Sequence, residues 1–477
     1  MNREKFAWVT SVVLVALLAF QLPGSLAHRD DDYQFVNTLM TIHRQVAEGY
    51  VEPVDEEKLR LGAINGMLSQ LDPFTTYVPP ADEEKFNRLL EGSYKGVGIQ
   101  LEQNKETKEI EVITPIEGSP AHKAGVLPGD ILLKVNGEDI RTAVIDDVMK
   151  KIAGPVGSEV RITVRHAGPG ADKSGGEEVE LTMTRQEIVM PTVKGYRRRG
   201  GSDQSWDYWV NADPKVAYVR VTQFTEETTG KLRPLLERLL AQGMKGLILD
   251  LRFNPGGRLD QAEQVVDLFI NEGVIVVTRG RSRPEDVRRA KPEGTLPNFP
   301  MVVLVNEHSA SAAEIVAGSL MDNRRALVVG ARTYGKGSVQ EVSHLDRGGE
   351  LKMTVAYYYL PSGRLVHHKK DATDWGVVPQ IQVAMDEEAQ KWLYQNQEIE
   401  ERFRRPTVKG ATTEPAATQS SSTKPATQAS TQPTTQRTDT QLEAALSTLI
   451  GHIVLQGEKK VASGATAATA PASKPAQ

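Results

Sequence analysis

The stretch GARTYGKGSVQ, Gly330 to Gln340, places one lysine, Lys336, between two glycines. Gly330, four residues, Gly335 and Lys336 make up most of a phosphate-binding P-loop, and the apolar run ending at Asp250 (GLILDL) imitates the acidic strand that accompanies one. The match fails at Gly337, where a P-loop needs Ser or Thr to hold Mg²⁺. Ser338 to Val342 then alternates like a strand instead of opening a helix. A different chemistry fits the neighbouring motifs. VNEHSASAAEI follows the apolar run Met301 to Val305 and opens a helix, so Ser309 or Ser311 would sit where unpaired N–H groups and the positive helix end favour a developing oxyanion. LRFNPGG follows another strand, and Gly256 and Gly257 lack the side chains that keep backbone N–H groups from a ligand. A serine, two N–H donors and a lysine make an acyl-transfer site, provided burial keeps the lysine neutral enough to act as a base.

Plainer roles exist for the same residues. Lysine between glycines is commonly a solvated loop cation, and serines before a helix are commonly N-caps, a role that suits Ser309. A Ser/His/Asp triad is the rival mechanism, with His308, His344, His367, His368 and Asp250 in the same region, but no G-x-S-x-G elbow occurs. Neither H-E-x-x-H nor another clustered ligand set appears, so no metal and no cofactor is expected.

The elements that must position these residues follow from patterning. The 477 residues carry a formal net charge of −5, with basic and acidic residues interspersed, which argues against a nucleic-acid surface. There is no cysteine, so disulfides, cysteine nucleophiles and thiolate metal sites are all excluded. Arg3 and Lys5 precede an apolar stretch from Phe6 to Leu22 and the run Ser25, Leu26, Ala27 with small residues at its first and third positions, the pattern of a signal peptide or an uncleaved anchor over residues 1–27. Export to the periplasm or cell envelope, secreted or anchored, is the expectation. Residues 28–90 read as an N-terminal helical segment that could pair with a second copy of the chain, and 91–188 as a compact unit of short strands and turns. Strands and helices alternate over 189–404, the mark of an α/β core, giving an α/β (α+β) multidomain chain. Residues 405–440 read as a disordered Thr/Ser/Pro/Gln-rich linker, 441–456 as an apolar-periodic helix, and 457–477 as a disordered tail.

The segments SASAAEIVAGSLMDNRRALVVGARTYGKGSVQ and DLRFNPGG, with SPAHKAGVLPGDILLKVNG upstream, resemble the C-terminal processing peptidases, also called tail-specific proteases. The resemblance runs from about Asp30 to Met385 in the order helical segment, PDZ domain, catalytic core. It implies a serine endopeptidase with a Ser/Lys dyad: Ser311 as nucleophile, Lys336 as general base and Gln340 as the residue that orients the lysine. It further implies an oxyanion hole from the backbone N–H groups of Ala312 and of a glycine in NPGG, Gly257 being preferred to Gly256. YKGVGIQLE resembles a PDZ carboxylate-binding loop, in which Gly96, Val97, Gly98 and Ile99 form a nest for a substrate's free C-terminus. Protein or peptide substrates with free C-termini are the expected partners. A catalytically inactive PDZ scaffold of the envelope is the alternative.

Overall fold

The computed structural model describes residues 33–83, 86, 93–166, 176–199, 205–346, 348–404 and 437–467. The expected signal or anchor segment and most of the expected linker lie outside these residues. The chain forms two compact units, 1–80 with 341–354, and 81–340 with 355–477.

In the first unit, a helix over 33–49 is followed by the helix Glu56–Leu68, whose N-terminus is capped by Asp55 accepting from the Glu57 and Lys58 N–H groups at 3.1 Å. Between Pro73 and Pro79 lies a short strand, Thr76–Val78, antiparallel to Glu350–Lys352. That pairing joins segments distant in sequence and has no local signature.

The second unit begins with an antiparallel sheet in the spatial order Ile99–Gln103, Ile110–Pro115, Ile131–Val135, Glu159–Arg165, Glu178–Thr184. Its inward residues, among them Ile110, Val112, Leu132 and Ile162, pack with Val148 and Ile152 of the helix Ile145–Ile152 around a core of their own.

The rest of the unit is built around a mainly parallel sheet. Its central strands are β1 (Lys215–Val221), β2 (Gly246–Asp250), β3 (Met301–Val305) and β4 (Leu327–Gly330), hydrogen-bonded in that order. Helices α1 (Thr228–Ala241), α2 (Leu259–Asp267) and α3 (Ala312–Asp322) make the crossovers. The chain ends with α4 (Glu387–Glu401) and α5 (Thr440–Ala467). Alternate strand residues serve opposite faces: Val219, Leu247, Leu249 and Val303 pack with α1–α3, while Tyr218, Ile248, Val302 and Leu304 pack under Leu442, Ala445 and Leu449 of α5. The i, i+3, i+7 spacing of those three residues puts them on one stripe. Burial on both faces explains why β2 and β3 read as unbroken apolar runs.

Leu449 is buried against the strands, so Leu449→Ala should lower the unfolding free energy by about 2–4 kcal/mol through lost burial and a residual cavity. A urea titration giving the wild-type midpoint would show that α5 is no part of the core.

Candidate active site

The parallel register aligns the carboxyl ends of the strands: Asp250 pairs with Leu304, and Val305 with Gly330. The three loops that leave these ends, 251–258, 306–311 and 331–337, therefore emerge side by side, where open α/β sheets bind ligands. They carry the three motifs singled out in the sequence.

Ser311 occupies the N-cap of α3 with φ 55° and ψ −117°, a positive-φ conformation outside the left-handed helical well that costs a non-glycine residue about 1–3 kcal/mol and must be held by its surroundings. The expectation that Ser309 is the cap is corrected here. The Ser309 hydroxyl is buried, donates to the Leu251 carbonyl at 2.7 Å and accepts from the Asn306 N–H at 3.0 Å, so it ties two loops together. Ala312 follows Ser311 as the first helical residue, and its N–H belongs to the first turn, which has no intrahelical acceptor.

What holds Ser311 is Glu314, one turn into α3. Its fully buried carboxylate accepts the Ser311 N–H at 2.8 Å and, from the lysine loop, the Lys336 N–H at 2.8 Å, the Gly335 N–H at 2.7 Å and the Thr333 hydroxyl at 2.5 Å. Burial pushes this carboxyl up to about 7, against four hydrogen bonds that favour the ionised form. Sequence reasoning missed Glu314, although S-x-x-E before an apolar run is the capping-box signature.

The lysine loop is shaped by contacts that leave no room for side chains on its glycines. A Cβ on Gly335, at φ +87°, would lie 2.6 Å from the Trp375 ring and 2.9 Å from the His368 Cβ, and one on Gly337 would lie 2.4 Å from the His367 nitrogen. Both histidines thus wall the loop. The Tyr358 hydroxyl donates toward the carbonyls of Ser311, at 3.0 Å, and Lys336, spanning the two loops a second time. Gln340 lies on the strand Ser338–His344, and its amide donates to the Ser338 hydroxyl at 2.7 Å.

The NPGG loop lies against Ser311. A Cβ on Gly256, at φ +101°, would stand 2.7 Å from the Ser311 Cβ and 3.0 Å from the Ala312 nitrogen. The Gly256 N–H is used by the Asn254 side chain at 2.8 Å, whereas the Gly257 N–H has no acceptor among the described residues. Gly257 must also be glycine, because a Cβ would meet the Phe224 carbonyl at 2.1 Å.

In the antiparallel domain, Gly96, Val97 and Gly98 lead into the strand Ile99–Gln103, which lies at one end of its sheet. Gly98 has φ +78° and touches Ser119, whose hydroxyl donates to the Gly98 carbonyl at 3.1 Å. Tyr94 folds over this loop, its ring beside Gly96 and its hydroxyl accepting from the Ile99 N–H.

Three family descriptions match the chain: Peptidase family S41 over residues 215–383, PDZ domain over 111–166, and the activating protease CtpB N-terminal domain over 22–83. A carboxy-terminal-processing protease of Bartonella bacilliformis is 36% identical over 369 residues, covering 76% of this chain and 80% of the relative. The chain belongs to peptidase family S41. Among other S41 relatives, the carboxy-terminal processing protease CtpA of Bacillus subtilis is 32% identical over 388 residues, covering 80% of this chain and 77% of its own. The solved photosystem II D1 C-terminal processing protease is 30% identical, covering 72% of this chain and 92% of its own, with a TM-score of 0.40.

In this S41 peptidase the folded Glu314 carboxyl titrates near 7 and the unfolded one near 4.5, so the folded state holds the proton more tightly. The resulting stability is complete below about pH 4.5 and is lost as pH rises through 7, by roughly 3 kcal/mol at most. Glu314→Gln lacks this titration. The wild type's stability relative to that variant should therefore fall between pH 4.5 and 7 and level off above, as read from urea unfolding across that range. A difference independent of pH would remove Glu314 as the titrating group.

Proposed function

We propose that this S41 peptidase is an exported serine endopeptidase that captures the C-terminal tails of protein substrates with its PDZ domain and cleaves them through a Ser311 acyl-enzyme, with Lys336 as general base. The observation that carries this reading is the Glu314 carboxylate shared at 2.8 Å by the N–H groups of Ser311 and Lys336, which fixes the two loops against each other. In the reading, Lys336 Nζ takes the proton as the Ser311 hydroxyl attacks the scissile carbonyl. The Gly257 and Ala312 N–H groups receive the oxyanion. Collapse breaks the peptide bond, the leaving amine takes the proton from Lys336, and water then releases the acyl group by the same steps. Gln340 is assigned to orienting the lysine.

The strained Ser311 backbone favours catalysis over an inactive scaffold, because a serine serving only as a cap has no need of a positive φ. Tail capture is supported by the end position of the strand Ile99–Gln103, which leaves an edge for an added peptide strand, and by the adjoining Gly96–Ile99 loop. The names of the relatives, carboxy-terminal processing proteases, agree with it. Export rests on the apolar segment Phe6 to Leu22 read from sequence, with cleavage or retention as an anchor decided by sizing the N-terminus of the native protein.

Ser311→Ala should lower cleavage of an unfolded polypeptide by about a thousandfold or more, while Ser309→Ala keeps the nucleophile. Lys336→Arg keeps the charge but cannot give up its proton, since arginine stays protonated up to about pH 12, so it should be as inactive as the serine variant. Near-wild-type turnover by a folded Lys336→Arg protein would rule the lysine out as base. Amidating a substrate's C-terminus should weaken its binding, and equal binding of free and amidated tails would end the tail-capture reading.

A further inference from the structure

Arg252, the arginine of DLRFNPGG, is fully buried and faces two carboxylates. Its Nε lies 3.0 Å and its Nη2 2.7 Å from Asp250, the last residue of β2. Its Nη1 and Nη2 lie 2.7 and 2.8 Å from the two oxygens of Asp439, a bidentate pair supplied by the residue before α5. Burial works against the guanidinium charge, and Asp250 and Asp439 outweigh it. Asp439 also caps its own helix, its Oδ1 accepting the Leu442 N–H at 3.0 Å, so seating α5 and orienting Arg252 are one event.

Arg252 leads directly into the loop that carries Gly256 and Gly257. Phe253 follows at φ 58°, strained for a non-glycine residue, with its N–H on the Asn306 side chain at 3.0 Å. Asn254 then reaches the Val221 carbonyl at 2.7 Å and the Gly256 N–H at 2.8 Å. Without Asp439, Nη1 would keep only the neutral Gln441 oxygen at 3.3 Å and Nη2 only Asp250, so the guanidinium would turn about its Asp250 pair and carry Phe253 with it. A shift of about 1 Å at an oxyanion donor is enough to cost a large factor in rate.

We propose that Asp439 is a positioning residue for the reaction: the C-terminal helix, through the Asp439–Arg252 pair, sets the loop that presents the Gly257 N–H. This rests on the acyl-enzyme reading above.

The test uses the full-length protein with Asp439→Asn, which keeps a side chain suited to the N-cap but loses the charged bidentate pair, and Asp439→Glu, which keeps the charge. Rates are expressed per active site titrated with an acylating serine probe. The Asn variant, assayed where it is still folded, should lower kcat tenfold or more with KM within about twofold, and weaken binding of a peptidyl boronate, a mimic of the tetrahedral intermediate, in parallel with kcat. The Glu variant should recover part of both losses. An unchanged kcat and boronate affinity per titrated site, whether or not stability falls, assigns Asp439 to the helix cap alone and overturns the proposal. A wild-type protein that neither cleaves nor reacts with the probe overturns the catalytic reading and the positioning role together. A wild-type protein that does both while Asp439→Asn matches it overturns the positioning role only.

Discussion

One buried carboxylate joins the two loops that carry Ser311 and Lys336. Glu314 takes hydrogen bonds from Ser311 on one side and from Thr333, Gly335 and Lys336 on the other, so the backbone around the serine and the backbone around the lysine share a single acceptor. A buried charge is costly, and four donors are what make it tolerable. Because each donor leaves from a different point of two loops, few arrangements satisfy all four. The position of one loop is thereby expressed in the position of the other, and Tyr358 repeats the connection through the two carbonyls.

The same device recurs around the site. Asn254, Asn306, Ser309 and Arg252 are buried polar side chains that tie one segment to another: Asn306 and Ser309 join two loops, Asn254 reaches the end of β1, and Arg252 reaches the end of β2 and the residue before α5. The parallel strands bring the loop origins together, but a strand end does not fix the conformation of the loop residues beyond it. Side-chain hydrogen bonds do that here, and they hold the non-glycine positive-φ residues Phe253 and Ser311 in conformations that isolated loops would leave.

Much of this was legible in the sequence, and the remainder failed for physical reasons. The α/β alternation of the core, the strand-and-turn character of 91–188 and the loop motifs around Ser311, Lys336 and Gly257 have local periodicity or spacing to announce them. Assigning the helix cap to Ser309 failed because its hydroxyl is drawn inward to Leu251, and cap propensity says nothing of a competing carbonyl from another loop. Glu314 was overlooked because a charged residue one turn into a helix usually faces solvent, and only tertiary burial turns it inward. The Tyr358 contacts and the Asp439–Arg252 pair carry no local signal, since those partners lie far away in the chain. Nor could the pairing of Thr76–Val78 with Glu350–Lys352 be read, because strand partners at long separation leave no trace in either segment.

The helix over the second face of the sheet has a consequence for how the chain is made. Val302, Leu304, Ile248 and Tyr218 are covered by residues 442–449, which a ribosome delivers after nearly everything else. Until then the sheet has one apolar side without its cover, however complete the loops and the other three helices are. Since chains are elongated from the N-terminus, the nascent protein carries this open face throughout the synthesis of its low-complexity stretch, and a message cut short before residue 437 leaves it open for good. Such a product would present the cell with a sticky sheet, a substrate for chaperones and for other proteases.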